Sequence, residues 1–409
     1  METTPRGNRL QVAIFGRRNA GKSSLINALT NQNVALVSPV PGTTTDPVGK
    51  AMEILPLGPV QLIDTAGIDD CGELGELRVQ RALKVLEQAD MALLVLESGQ
   101  TITESELEIA RRVRRQNRPL IVVFNKIDLQ EVSAGAAAAI EELLGVKPVQ
   151  TSALQRTGIA ELKMAIVRNA PSAREEQTIV GDLLEPGDVV VLVVPLDLAA
   201  PKGRLILPQV QTLRDVLDHD ALAYVVKERE LKECLATLKR KPKIVITDSQ
   251  VFLKADADTP PDVLLTSFSI LFARHKGDLA TLVAGAKAIA ALRPGDKVLI
   301  SEACTHHSTA DDIGKVKIPR WLRQAVGGNL EFAFCSGYSF PDDLASFQLV
   351  IHCGGCMITR REMLARLARV QETGVPIVNY GVAIAYLLGI LPRALSPFPA
   401  LQELLAQID

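Results

Sequence analysis

An apolar run over residues 9–15 feeds directly into Gly16-Arg-Arg-Asn19-Ala-Gly21-Lys22-Ser23-Ser24, and an apolar-periodic stretch continues through Leu29. Strand, glycine-rich loop and helix in that order leave few folds open. The loop works only where its backbone N–H groups sit at the positive end of a helix and face a phosphate, which requires a strand to deliver it and a helix to follow it. In this arrangement Gly16, Asn19, Gly21, Lys22, Ser23 and Ser24 line the phosphates. Lys22 reaches the β- and γ-phosphates and Ser23 holds Mg2+.

Three further elements follow in the order of a GTPase. Pro41-Gly42-Thr43-Thr44-Thr45-Asp46 supplies a threonine that can close over magnesium and γ-phosphate, with Thr44 the expected one by its position after Gly42. Asp64-Thr-Ala-Gly67 ends an apolar strand over residues 60–63, placing Asp64 for magnesium through water and the Gly67 N–H at the γ-phosphate. Asn125-Lys126-Ile-Asp128 ends another strand over residues 120–124, and Asp128 can accept both hydrogen bonds of guanine's N1–H and amino edge, a pairing adenine cannot offer. Ser152-Ala153, after residues 148–150, resembles the last guanine-contacting element, where a backbone N–H meets the base oxygen. Catalysis is therefore expected from Lys22, Thr44, Asp64 and Gly67. Gly67 is followed by Ile68, not by the water-positioning glutamine of Ras-like switches, so unaided hydrolysis is expected to be slow. Asn19 has two readings: a ligand for K+, as in the cation-activated GTPases this domain resembles, or a loop residue tolerant of unusual backbone angles.

A second constellation lies far downstream. Cys304-Thr-His306 is separated by 45 residues from His352-Cys353-Gly-Gly-Cys356. Two cysteines with two glycines between them can reach one metal centre from a tight turn without crowding a bulky inorganic cluster. By residue type the mixed Cys/His set suits zinc. By count it exceeds the four ligands of a closed zinc site, and three thiolates with one exchangeable position suit a 4Fe-4S cluster, the fourth position falling to His306 or His352. His307, Asp311 and Asp312 are weaker candidates, the two aspartates equally readable as the acidic start of a helix. Cys71 reads as a surface thiol and Cys335 as a buried one.

Charge and cysteine usage narrow the setting. With 45 basic and 47 acidic residues, net −2, no nucleic acid or membrane-surface partner is implied. The arginine-rich run at 111–118 follows Glu104, Glu106 and Glu108 on one predicted helix, so it is expected to be a solvated face of paired charges. Six cysteines across 409 residues make no disulfide framework and point to a reducing cytoplasm. The polar start, residues 1–11, lacks the apolar core of a secretion signal. Residues 373–392 carry no charge, but Pro376, Asn379 and three glycines divide them into a buried strand (375–380) and a short buried helix (382–388), not a membrane span.

Polar, proline-marked stretches near 171–177 and 255–261 divide the chain into three α/β domains, each expected to bury its own core: 1–174, a doubly wound P-loop GTPase; 175–262, an association domain without catalytic residues; and 263–409, carrying the cysteines at the carboxyl ends of strands over 297–301 and 347–351.

The P-loop with Asn19, an α/β middle part, and a C-terminal Cys-x-His…His-Cys-x-x-Cys together closely resemble the HydF family, the maturation GTPases of iron-only (FeFe) hydrogenases, over the whole chain. The resemblance implies a 4Fe-4S cluster on Cys304, Cys353 and Cys356 with a variable fourth ligand, and a homodimer through the middle domain. It also implies a scaffold that accepts a diiron precursor from two radical-SAM maturases and passes it to apo-hydrogenase. Two alternatives remain. One is a cation-activated GTPase of the tRNA-modifying class, which resembles a chain with a large domain before the GTPase and a reactive cysteine at the extreme C-terminus, whereas here the P-loop starts at Gly16 and the last residue is Asp409. The other is a zinc-stabilised GTPase binding module.

Overall fold

Strand β1 (Leu10–Phe15) is buried along its whole length because successive side chains enter opposite cores. Val12 and Ile14 join one apolar cluster, and Ala13 and Phe15 the other. A strand buried on both faces belongs in the middle of a sheet covered by helices on both sides, and the fold obeys this. The computed structural model describes residues 6–31, 49–65, 82, 85–171, 178–195, 205–303, 312–337 and 340–408. Its strands in the first part of the chain are β1, β2 (Gly49–Ile54), β3 (Gly58–Asp64), β4 (Met91–Glu97), β5 (Leu120–Asn125) and β6 (Val149–Gln150), in spatial order β2-β3-β1-β4-β5-β6. β2 runs antiparallel to β3, and the other neighbours are parallel. Helices Lys22–Thr30 and Ile159–Asn169 cover one face through Leu25, Leu29, Leu162 and Ile166, and helices Glu104–Arg115 and Ala134–Leu144 cover the other through Ile109, Val113, Ile140 and Leu144.

The chain separates into two compact units, Met1–Glu176 and Gln177–Asp409. The second unit holds two parallel four-stranded sheets. One is formed by β7 (Val189–Val193), β8 (Leu222–Val226), β9 (Ile244–Thr247) and β10 (Leu264–Ser267) in the order β10-β9-β7-β8. The other is formed by β11 (Lys297–Glu302), β12 (Glu331–Ser336), β13 (Leu349–His352) and β14 (Ile377–Asn379) in the order β12-β11-β13-β14. They share one core. Val190, Leu192, Ile244 and Ile246 of the first sheet join Val298, Ile300, Val350 and Ile351 of the second, with Ile270, Leu271 and Phe272 of helix Phe268–Lys276 in the same cluster. β10 pairs with β9 across a connection made by helix Phe252–Asp258 and the short turn after it. Leu265 N further donates to Ser396 Oγ at 3.0 Å, pinning β10 to the C-terminal region.

The uncharged stretch resolves into β14 and helix Tyr380–Leu387, both buried. Among the described residues no helix is long and apolar enough to cross a membrane.

Candidate functional site

The phosphate loop leaves β1 at Gly16 and enters its helix at Lys22. A Cβ on Gly16 would lie 2.3 Å from the Val95 carbonyl oxygen, so only glycine lets the loop cross β4 this closely. Asn19 adopts φ 65°, the left-handed region that asparagine tolerates. Lys22 is buried, and its Nζ donates to Gly16 O and Arg17 O at 2.8 Å each.

Ser23 and Asp64 meet at the ends of α-helix and β3. Ser23 Oγ donates to Asp64 Oδ2 at 2.6 Å, while Asp64 Oδ1 is buried without a hydrogen-bond partner. Burial raises the Asp64 pKa, against the opposing pull of the Ser23 hydrogen bond and the charges of Lys22 and Lys50. A hydroxyl beside an under-satisfied carboxylate suits an oxygen-seeking divalent cation, so these residues fit Mg2+: Ser23 as a ligand, and Asp64 as the acceptor that orients it and the ion's water. Bound there, magnesium neutralises charge on the β- and γ-phosphates.

Asn125 ties the phosphate end of the site to the base end. Its Nδ2 donates to Ala20 O at 3.0 Å, and its Oδ1 accepts from Ala153 N at 3.1 Å and Thr151 Oγ1 at 3.3 Å. The Ala153 N–H, expected on the base oxygen, is thus engaged by Asn125. Gly21 leaves room for this hub, since a Cβ there would sit 2.2 Å from Asn125 Nδ2. Ser152 Oγ donates to Asp128 Oδ1 at 2.5 Å, orienting the carboxylate expected to read guanine, and Lys126, at φ 65°, pairs with Glu97 at 3.1 Å. Thr151 and Glu97 act here without a motif of their own. Only their place beside Ser152 and at the end of β4 could have drawn attention to them.

Thr44, Gly67, Cys71, Cys304, His306, His307 and Asp311 lie outside the described residues. Of the downstream constellation the structure describes the second half. β11 and β13 are neighbours, and Cys353 follows β13 with its N–H donating to Ser301 O at 2.9 Å. Its Sγ accepts from Ala303 N at 3.1 Å, next to position 304. Burial raises the Cys353 thiol pKa, opposed by the N–H groups of Ala303 and Gly355. Gly355, at φ 65°, makes the turn that leads to Cys356.

His352 is held at both ring nitrogens. It is fully buried, its Nδ1 lies 2.7 Å from Cys353 O and its Nε2 3.2 Å from Arg366 Nη1. Both ring nitrogens are committed, with the proton on Nδ1. Burial and the Arg366 charge lower its pKa to about 4, so the ring is neutral. Arg366, itself 2 % exposed, also bonds Glu362 Oε1 at 3.0 Å and Gly337 O at 2.7 Å. The Glu362–Arg366 spacing of one helical turn was its only trace in the sequence. Asp312 takes the helix-start reading, accepting from Lys315 N at 2.8 Å. The described residues contain no group of three or more His, Cys, Asp or Glu able to hold a metal ion.

A cradle at the end of a central strand, a hydroxyl–carboxylate pair for magnesium and an Asn–Asp base reader define a P-loop GTPase, an enzyme that hydrolyses GTP with Mg2+. Family models match three stretches: "50S ribosome-binding GTPase" over residues 11–126, "Hydrogen maturase F dimerization domain" over 179–277 and "Hydrogen maturase F tetramerization domain" over 280–397. The last two together match more than half of the chain, and the chain belongs to the HydF hydrogenase maturases.

Curated relatives include the tRNA modification GTPases MnmE of Aquifex aeolicus (39% identical over 168 residues, 41% of this chain and 36% of that protein) and Syntrophomonas wolfei (34% over 185 residues, 45% and 38%). The chain thus spans little more than a third of their length. Solved structures similar to it include the G domain of the T. maritima FeoB iron transporter (25% identity, 40% of this chain and 100% of that one, TM-score 0.32) and Aquifex aeolicus Era bound to GDP·AlF4− (21%, 56% and 98%, TM-score 0.35).

Proposed function

We propose that this hydrogenase-maturation GTPase is a scaffold that holds a 4Fe-4S cluster on Cys304, Cys353 and Cys356 and carries a diiron precursor from two radical-SAM maturases to apo-(FeFe)-hydrogenase. The observation that carries this reading is the setting of Cys353. It stands at the carboxyl end of β13, beside the end of β11 that leads into Cys304, and its sulfur receives the Ala303 N–H. Backbone N–H donation to sulfur is how proteins tune cluster thiolates. The commitment of both His352 nitrogens takes that imidazole out of the proposed ligand set. It leaves His306 or an exchangeable group at the fourth position. Such a position lets a carrier take up and release a second metal unit without loosening its own anchor.

The division we propose is a GTPase part to about residue 174, an association part through 277 and a cluster-bearing part beyond it, in a cytoplasmic homodimer with K+ held near Asn19. Exposed apolar residues on edge strand β8 support self-association, and nucleotide state is taken to govern exchange of the precursor through Thr44 and its neighbours. The tRNA-modifying reading rests on likeness confined to the GTPase part.

The test is anaerobic purification followed by iron, sulfide and zinc analysis, then activation of apo-hydrogenase by protein co-expressed with the two maturases. Iron and sulfide near four each per chain, both lost in Cys353→Ala together with activation, are expected. Stoichiometric zinc without sulfide refutes the cluster, and activation unaffected by Cys353→Ala refutes the carrier.

A further inference from the structure

Arg17 follows Gly16 in the phosphate loop, where a guanidinium could be spent on phosphate charge. Its side chain is engaged elsewhere. Nε donates to Glu106 Oε1 at 3.1 Å and Nη2 to Thr101 O at 2.7 Å. Glu106 is 0% exposed, and its other oxygen accepts from Thr103 N at 2.8 Å and Thr103 Oγ1 at 2.9 Å, closing the capping box of helix Glu104–Arg115. A capping-box glutamate needs no cation, and most stay at the surface. Burying this one calls for a positive partner, since an uncompensated buried carboxylate is strongly destabilising.

Arg17 is therefore held at both ends. Its carbonyl oxygen, with that of Gly16, takes the Lys22 ammonium, and its side chain is bolted to a buried carboxylate on the next layer of the domain. The segment that supplies Thr101 and Thr103 is itself fastened to the base-reading end, because Ser98 N donates to Asn125 O at 2.9 Å and Ser98 Oγ to Gln130 O at 2.5 Å. One short stretch after β4 thus connects the phosphate loop with the strand that ends in Asn125.

We propose that Arg17 and Glu106 form a latch that sets the shape of the phosphate loop. Arg17 is a positioning residue that tunes affinity for the phosphates common to GTP and GDP, and it lends no charge to the γ-phosphate in flight. This goes beyond the GTPase assignment and does not depend on what the second unit carries.

The full-length protein with Arg17→Gln, Glu106→Gln and both together tests it, with Mg–GDP and Mg–GTP affinities measured by calorimetry beside kcat. Each single change is expected to weaken both nucleotides about tenfold, and the double change to cost no more than the worse single, as for residues acting as one unit. Arg111→Gln, whose partner Glu104 is exposed, serves as the control with unchanged affinity. A fall in kcat of about a hundredfold or more in Arg17→Gln with GDP affinity intact would make Arg17 a transition-state group and overturn the latch. So would normal affinity in Glu106→Gln beside a loss in Arg17→Gln. Should Glu106→Gln not fold, Arg17→Lys decides: GDP binding tighter than in Arg17→Gln upholds the pairing with Glu106, and binding no tighter overturns it.

Discussion

Asp64 is held in a state that suits it only when a cation is present. Its raised pKa means the folded protein keeps this proton more tightly than the unfolded chain does, so the site favours folding at acidic pH and loses that contribution as pH rises through the raised value. Asp64→Asn is accordingly expected to raise the thermal midpoint of the nucleotide-free protein at neutral pH and to abolish magnesium-dependent hydrolysis. The midpoint gain should shrink in melts taken towards pH 4. Arg366 is the opposite case, a buried charge whose partners are all made in the fold. Arg366→Ala strands Glu362, His352 and Gly337 O, and roughly 3–5 kcal/mol is the usual consequence of breaking such a site. A denaturant titration following the lone tryptophan, Trp321 in the second unit, should show its transition at markedly lower urea, with GTP binding retained at low denaturant.

At the scale of single elements, β7 and β8 make the instructive contrast. Both are short apolar strands of one sheet, yet every residue of β7 is buried while Leu222, Tyr224 and Val225 of β8 are 50%, 45% and 42% exposed. Among the described strands β8 is an edge, and an edge with exposed apolar side chains is normally blunted by charge or covered by a partner. Replacing Tyr224 or Val225 by Lys should therefore shift the protein from dimer to monomer in light scattering while its circular dichroism stays the same. A monomeric parent protein, or a dimer indifferent to both changes, would remove β8 from the interface.

For the whole molecule, division into two compact units predicts that GTP hydrolysis and the proposed cluster separate. Lys22→Ala should abolish GTP hydrolysis and leave iron content intact, and Cys353→Ala should do the reverse, with kcat for GTP within about twofold of the parent, as for independent sites on separate units. The proposed potassium dependence is tested on the first unit: hydrolysis that rises when K+ replaces Na+, and no longer does so in Asn19→Ala, would make Asn19 a ligand. An unaltered cation response would leave its φ of 65° as the reason for its type.

Some of this was legible in residues alone, because local chemistry decides it. A phosphate loop needs glycine at Gly16 and Gly21 and lysine at Lys22, so motif, strand and helix can be read together, and the apolar run of β1 announces a buried strand. The base reader and the Cys353–Cys356 turn are local in the same way. What depends on distant segments was out of reach. No sequence spacing says that one core runs beneath both sheets of the second unit, that β10 belongs with β9, or that Arg366 closes on His352 from 14 residues away and engages its Nε2. Motif spacing records what neighbouring residues can do with one small ligand. Burial and the pairing of buried polar groups are properties of the assembled fold, and they decided how many compact units there are, what the His352 ring nitrogens bond and where Arg17 spends its charge.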